Sequence, residues 1–266
     1  MQTLSRAVLA KTAVGERLVL PYKSMNDAIS FRTRDLTILA GAPGGGKSTL
    51  AVNLAMKMDY TTLYLAQDSP ASVLSRMTAL VTQEDIAGTA TKLTKHAEKH
   101  VIAKRLENTR PTLVFERGAV TVEGIELRLE ALAEWFGEPP KLVFIDNLID
   151  LIVEGTTHGD TSFYTKCLPA LKRMANKYNC AVIALHHVTR GGNAGHADGR
   201  SGIQMNTLLH AGEREARHVW GVYNDGEGTI TVQVLKQQDG PADPDGNLEI
   251  PLRWTPRLGS LMSKVM

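Results

Sequence analysis

Cysteine and aromatic residues are scarce in this chain of 266 residues: two Cys, and 5% Phe, Trp and Tyr together. Cys167 and Cys180 lack metal-type spacing and cannot build a disulfide framework, which predicts a reducing, cytoplasmic setting. An excess of one charge is missing as well. Thirty Lys and Arg against 28 Asp and Glu leave a net charge of +2, which excludes a basic footprint over the whole surface but permits a local basic channel. No apolar run approaches the ~20 residues that span a bilayer, so no membrane partner is expected. The first twenty residues carry Arg6, Lys11, Glu16 and Arg17, which excludes a secretory signal there. Repeats and low-complexity tracts are absent. What is present, 43% hydrophobic and 22% charged residues, suits one α/β domain with a full core and at most an arm.

The most informative segment runs from Leu36 to Met58. An apolar run, Leu36 to Ala40, leads into Gly41-Ala42-Pro43-Gly44-Gly45-Gly46-Lys47-Ser48-Thr49 and then a helical pattern. This is the phosphate-binding loop, Gly-x-x-x-x-Gly-Lys-Ser/Thr, in the strand-to-helix context it requires. The bare pattern arises by chance in about one chain in a hundred of this length. The residues from Gly41 through Pro43, Gly44, Gly45 and Gly46 to Thr49 are expected to line a phosphate cradle with backbone N–H groups. Lys47 adds a point charge on the β- and γ-phosphates. The Ser48 hydroxyl is placed to hold Mg²⁺, and the following helix turns its positive end to the anion. A nucleoside triphosphate is the expected ligand.

Along the chain, residues 1–19 read as a polar arm and residues 20–266 as one ATPase domain. A helix is expected to about Met58, a strand over Thr62 to Ala66, and a helix opened by Ser69 as N-cap and Pro70, ending near Val81. A basic helical stretch covers Lys92 to Leu106. Next come a short strand at Leu113 to Phe115, a helix over Thr121 to Phe136, and a strand at Leu142 to Ile145. A helix over Phe163 to Tyr178 leads to a strand at Ala181 to Leu185. Strands alternating with helices predict βαβ units and a mainly parallel, doubly wound sheet. Beyond a glycine-rich stretch, Val219 to Tyr223 and Thr229 to Leu235 flank Asn224-Asp225-Gly226 and predict an antiparallel hairpin. Ile250 to Trp254 is expected to be the final strand.

Two acids complete the pattern. Asp146 ends the apolar strand Leu142 to Ile145, at the carboxyl edge where doubly wound sheets bind ligands, and is expected to reach Mg²⁺ through water. Asp68 ends the second strand, where it can orient an attacking water, cap the following helix, or do both.

The order of these motifs resembles the RecA-like core, and more narrowly the hexameric replicative helicases of the DnaB type, including compact plasmid RepA and phage versions. The lead-in Phe31 to Gly41 and the run Lys236-Gln237-Gln238-Asp239-Gly240-Pro241 carry the narrower likeness, which covers residues 20–257. The resemblance implies an ATP-dependent motor on single-stranded DNA, working as a homo-oligomeric ring with composite sites, with any primase or loader a separate protein. It implies Asp68 as the catalytic acid, one methylene shorter than the family's glutamate. His187, from Leu185-His186-His187, matches the γ-phosphate sensor, with an exposed or core histidine as the alternative. Lys236 matches the lysine that reaches the neighbouring subunit's γ-phosphate. The arginine expected two positions later is Gln238, so Lys236 acts alone in trans or another arginine, Arg253 or Arg214, substitutes. Trp254 falls where an aromatic packs on adenine, core packing being the alternative.

In RecA-like assemblies two loops line the DNA channel, here about Glu154 to Thr161 and Arg190 to Gln204. The second is glycine-rich, and Arg190 and Arg200 suit sequence-neutral contact with phosphates. It contains no aromatic for base stacking. His96 and His100, one turn apart between lysines, read as a solvated face rather than a metal site. Two other functions fit the same core: a recombinase or mediator whose DNA binding is gated by ATP, without unwinding, and a scaffolding ATPase of the KaiC kind without DNA.

Overall fold

The protein is described from a computed structural model covering residues 15–157, 160–188, 200–208 and 214–264. Its elements follow the predicted alternation. A short helix α1 (Lys23–Ala28) precedes β1 (Leu36–Gly41), α2 (Lys47–Lys57), β2 (Thr62–Ala66) and α3 (Pro70–Thr82). Then come α4 (Ile86–Lys92), α5 (His96–Thr109), β3 (Leu113–Arg117), α6 (Val122–Phe136), β4 (Leu142–Asp146), α7 (Thr161–Tyr178) and β5 (Ala181–His187). The chain ends in β6 (His218–Asn224), β7 (Thr229–Gln237), β8 (Glu249–Thr255) and β9 (Ser260–Ser263).

These strands form one nine-stranded sheet in the order β3-β2-β4-β5-β1-β6-β7-β8-β9. Strands β1 to β6 run parallel. The remaining three add antiparallel, each to its predecessor. The predicted α/β class, mainly parallel core and C-terminal antiparallel extension are all present.

Both faces of the sheet are covered. The central strands are buried at every position, as strands with helices on both sides must be. On one face α2 packs Leu50, Val52, Leu54 and Ala55 against Leu39, Tyr64 and Phe144. On the other, α6 presents Ile125, Leu129 and Leu132, and α7 presents Phe163, Cys167, Leu171 and Met174, at helical spacing. Thr121 caps α6, its hydroxyl accepting from Gly124 N at 3.0 Å. Both cysteines are buried thiols. Among the described residues no helix is long and apolar enough to cross a membrane.

Three local expectations need correction. Ser69 occupies the N-cap of α3 with Pro70 opening the helix, as expected, and its carbonyl accepts the first helical bond from Val73 N, but its side chain makes no capping bond. The basic stretch from Lys92 is not one helix. It splits into α4 and α5, and Asp85 fixes where α4 begins by accepting from Ala87 N at 2.8 Å and pairing with Arg257, 172 positions away in sequence, at 3.0 Å. Finally, Ile250 to Trp254 is not the last strand, because β9 pairs beside β8. Of the arm expected over residues 1–19, residues 1–14 lie outside the described residues. From Gly15 onward the chain is tied down: Leu18 N donates to Phe31 O at 2.9 Å, and Leu18 and Leu20 are buried.

Candidate phosphate-binding site

The carboxyl ends of β1, β2, β4 and β5 converge on the loop between β1 and α2. Gly44 and Gly46 take φ of +78° and +98°, a left-handed backbone that L side chains resist. Gly46 has a second constraint, since a Cβ there would stand 2.8 Å from the Ile230 side chain. Gly41 is pressed by the neighbouring strand, with room for a Cβ only 2.4 Å from Val222 O. These crowded positions let the loop wrap closely around an anion. Asn224, at the end of β6, donates to Gly44 O at 2.6 Å and braces the rim.

Lys47 is buried, and its ammonium folds back onto the carbonyls of Gly41 and Ala42 at 2.8 and 3.0 Å. Burial lowers its pKa to about 8, opposed by the negative charge of Asp146. His187 Nδ1 lies 3.3 Å from the same ammonium. The register explains the separation of the two histidines. His187 pairs with Gly41 and faces the loop; His186 pairs with Ala40, points to the other face, and sets its ring 5.2 Å from Tyr164. The core alternative therefore describes His186.

Asp146 is buried at the end of β4, and Ser48 donates to it at 3.3 Å. Tyr64, reaching from β2 inside the sheet, donates to its other oxygen at 2.9 Å. Burial raises the Asp146 pKa, while the bonds from Tyr64 and Ser48 and the charges of Lys47 and Arg76 pull it back. The next peptide bond, Asp146–Asn147, is cis.

A pocket of about 350 Å³ is lined by Pro43, Gly44, Gly46, Lys47, Ser48, Thr49, Asp68, His187 and Trp254, together with Asn147 and Arg76. Much of the phosphate loop is thus gathered with Asp68, His187 and Trp254 on one cavity, and Asp146 stands behind it, bonded to Ser48. An ammonium, a hydroxyl beside a carboxylate and a glycine-lined backbone form a donor set that fits a magnesium-bound polyphosphate. Trp254 packs partly on the core and also lines this pocket.

Four members escaped the sequence reading. Arg76 stands in the pocket because α3 places it one turn beyond Ser72, whose hydroxyl accepts from its guanidinium at 2.6 Å. Eight residues after Asp68 on an amphipathic helix, it could have been found by asking which polar residue faces the acid. Tyr64, Asn224 and Asn147 had no signal of their own.

Lys236 is not in this pocket. It sits opposite Val219, which pairs with Ile38 near the start of β1, whereas the loop follows the end of β1. It lines a separate cavity with Arg214, Arg217 and Gln238. Arg253 pairs with Thr229, back at the phosphate-loop end. Of the expected DNA contacts, Arg190 lies outside the described residues. Arg200 is exposed, with its guanidinium near the Gly226 turn. Among the described residues no His, Cys, Asp and Glu cluster suited to a metal ion occurs, His96 and His100 included.

A profile of the AAA domain matches residues 30–193, more than half of the chain. The chain belongs to the AAA-domain family. This AAA-domain protein is 23% identical over 254 residues to the Gene 65 protein of Mycobacterium phage L5, covering 92% of each chain. Its fold matches a solved ATPase domain with a TM-score of 0.78 at 15% identity, covering both chains fully. It also matches a DnaB-like replicative helicase, solved in a study of its interactions with primase, with a TM-score of 0.72 at 15% identity over 100% of this chain and 68% of that one. The resemblance read from the sequence is borne out.

Proposed function

We propose that this protein is an ATP-driven motor that translocates on single-stranded DNA and unwinds duplex during replication, hydrolysing ATP at the subunit interfaces of a homo-oligomeric ring. The observation that carries the proposal is the split of its cationic groups. Lys47 lines one pocket, behind which Asp146 accepts from Ser48, while Lys236 stands at the opposite end of β1 and can meet a triphosphate only on another copy. Nothing observed favours the recombinase alternative.

In this reading the loop amides and Lys47 bind the β- and γ-phosphates. Ser48 and Asp146 would hold Mg²⁺, which neutralises charge developing on the phosphate oxygens when bound. Asp68 orients the attacking water, and His187, already beside the Lys47 ammonium, senses the γ-phosphate. Arg76 lies where a guanidinium can meet the same anion. Trp254 offers its ring to the base. Lys236 from the neighbour completes the pocket, so turnover depends on assembly. Arg190 and Arg200 contact DNA phosphates, and a separate primase or loader is an additional partner.

The test is light scattering after size exclusion, coupled to ATPase assays with and without single-stranded DNA and a fluorescent unwinding assay. An oligomer with DNA-stimulated ATPase and strand separation is expected. Stimulation without unwinding would favour the recombinase class, and no response to DNA would favour a scaffold.

A further inference from the structure

We infer that Gln67 positions the water that attacks the γ-phosphate; the inference rests on the hydrolytic reading above. Gln67 is the first residue after β2. Ala66 before it pairs with Asp146, its own N–H donates to Asp146 O at 2.7 Å, and Asp68 after it lines the phosphate pocket. Its backbone is therefore fixed at the carboxyl edge of the sheet, between the two acids.

The side chain is the unusual part. Both Nε2 and Oε1 are shut off from solvent, and among the described residues neither has a hydrogen-bond partner. A buried amide left unmet costs stability, so such groups are rare and call for a physical reason. Thr37 and Thr78, also buried, leave a single hydroxyl open in the same way. Among the described residues only Gln67 leaves both a donor and an acceptor.

The two atoms together select the partner. A phosphate oxygen only accepts, and would meet Nε2 alone. A metal cation would meet Oε1 alone. A water molecule donates and accepts, so it satisfies both. An amide can hold that water but cannot take its proton, whereas the exposed carboxylate of Asp68 can. The two neighbours thus divide the work. Water oxygen bonds to the γ-phosphorus as the bond to the bridging β–γ oxygen breaks, and the water's proton passes to the Asp68 carboxylate. ADP and inorganic phosphate are the products. Gln67 exchanges no proton; it fixes where the water stands, and phosphoryl transfer depends heavily on that placement.

The test compares wild type, Gln67→Met and Gln67→Glu in ATPase assays with single-stranded DNA. Affinity for a non-hydrolysable ATP analogue and thermal melting are measured alongside. Methionine keeps the length of the side chain and removes both open atoms. Gln67→Met should lower kcat about 10²-fold and leave analogue affinity within about twofold. It should also melt about 2–4 °C above wild type, because a buried polar group without a partner has been removed. Gln67→Glu keeps an acceptor for the water and should recover part of the rate. Its acid limb should lie at higher pH than that of wild type, because the new carboxyl must ionise beside the buried Asp146. Slower turnover together with a higher melting temperature is a combination that a merely structural glutamine does not produce. Wild-type kcat in Gln67→Met, or a Gln67→Met that melts lower and loses analogue affinity, would overturn the inference and leave the hydrolytic reading intact. Wild-type protein that binds the analogue but hydrolyses no ATP would overturn the hydrolytic reading itself.

Discussion

Tyr64 holds Asp146 from within the sheet, its phenol donating at 2.9 Å to a carboxylate oxygen while its ring lies fully buried between Phe115 and Phe144. A buried carboxylate prefers its proton, and this bond is one of the forces keeping Asp146 ionised. Tyr64→Phe keeps the ring and removes the donor. The Asp146 pKa should then rise further, so the acid limb of Mg²⁺-dependent ATPase activity should move up by about one to two pH units, given that a bond to a charged group is worth ~1.5–3 kcal/mol. Superimposable pH profiles for the two proteins would refute the relationship.

Lys47 should make nucleotide affinity fall with rising pH. Its pKa of about 8 in the free protein means that the ammonium is lost earlier than for an ordinary lysine. Bound phosphate restores the charge, so binding takes up a proton once the pH exceeds about 8. Affinity should weaken about tenfold per unit above that point. Titration calorimetry in buffers of differing ionisation enthalpy measures the uptake directly, and a flat affinity between pH 8 and pH 10 would be incompatible with it. Lys47→Ala should abolish hydrolysis at every pH.

Gly46→Ala should destroy nucleotide binding while the domain remains folded. The substitution places a Cβ at φ +98° and 2.8 Å from Ile230, a cost of about 1–3 kcal/mol localised in the loop. Adding Ile230→Ala removes the clash but not the dihedral strain, so recovery should be partial. Fluorescent nucleotide binding and thermal melting separate the two effects; wild-type affinity in the single variant is the adverse result.

Asp35→Ala should be among the more destabilising substitutions outside the pocket. Its buried carboxylate pairs with Arg217 and lies 3.0 Å from His218 Nε2, and it accepts from Arg32 N at 3.1 Å. Removing one partner of a buried pair costs ~3–5 kcal/mol, or about 10 °C in melting temperature for a domain of this size. A change under 1 kcal/mol in denaturant titration would show that this cluster contributes little.

Much of this protein is determined by local pattern. The glycine spacing with Lys47 and Ser48, the four apolar residues before Asp146, and the turn at Asn224 to Gly226 each encode their structure within a few residues. Backbone conformation and strand burial depend mainly on such neighbours, which is why the parallel core, its hairpin extension and the phosphate loop were legible. Pairing across the sheet is another matter. Only the register of β1 with β5 decides that His187 faces the loop and His186 the core, and only the helix α3 carries Arg76 to Asp146. The end of the sheet on which Lys236, Arg214 and Arg253 fall likewise depends on long-range strand pairing. Side-chain hydrogen bonds such as Tyr64 to Asp146, between residues 82 positions apart in sequence, have no local signature, because their geometry exists only after distant segments have packed together.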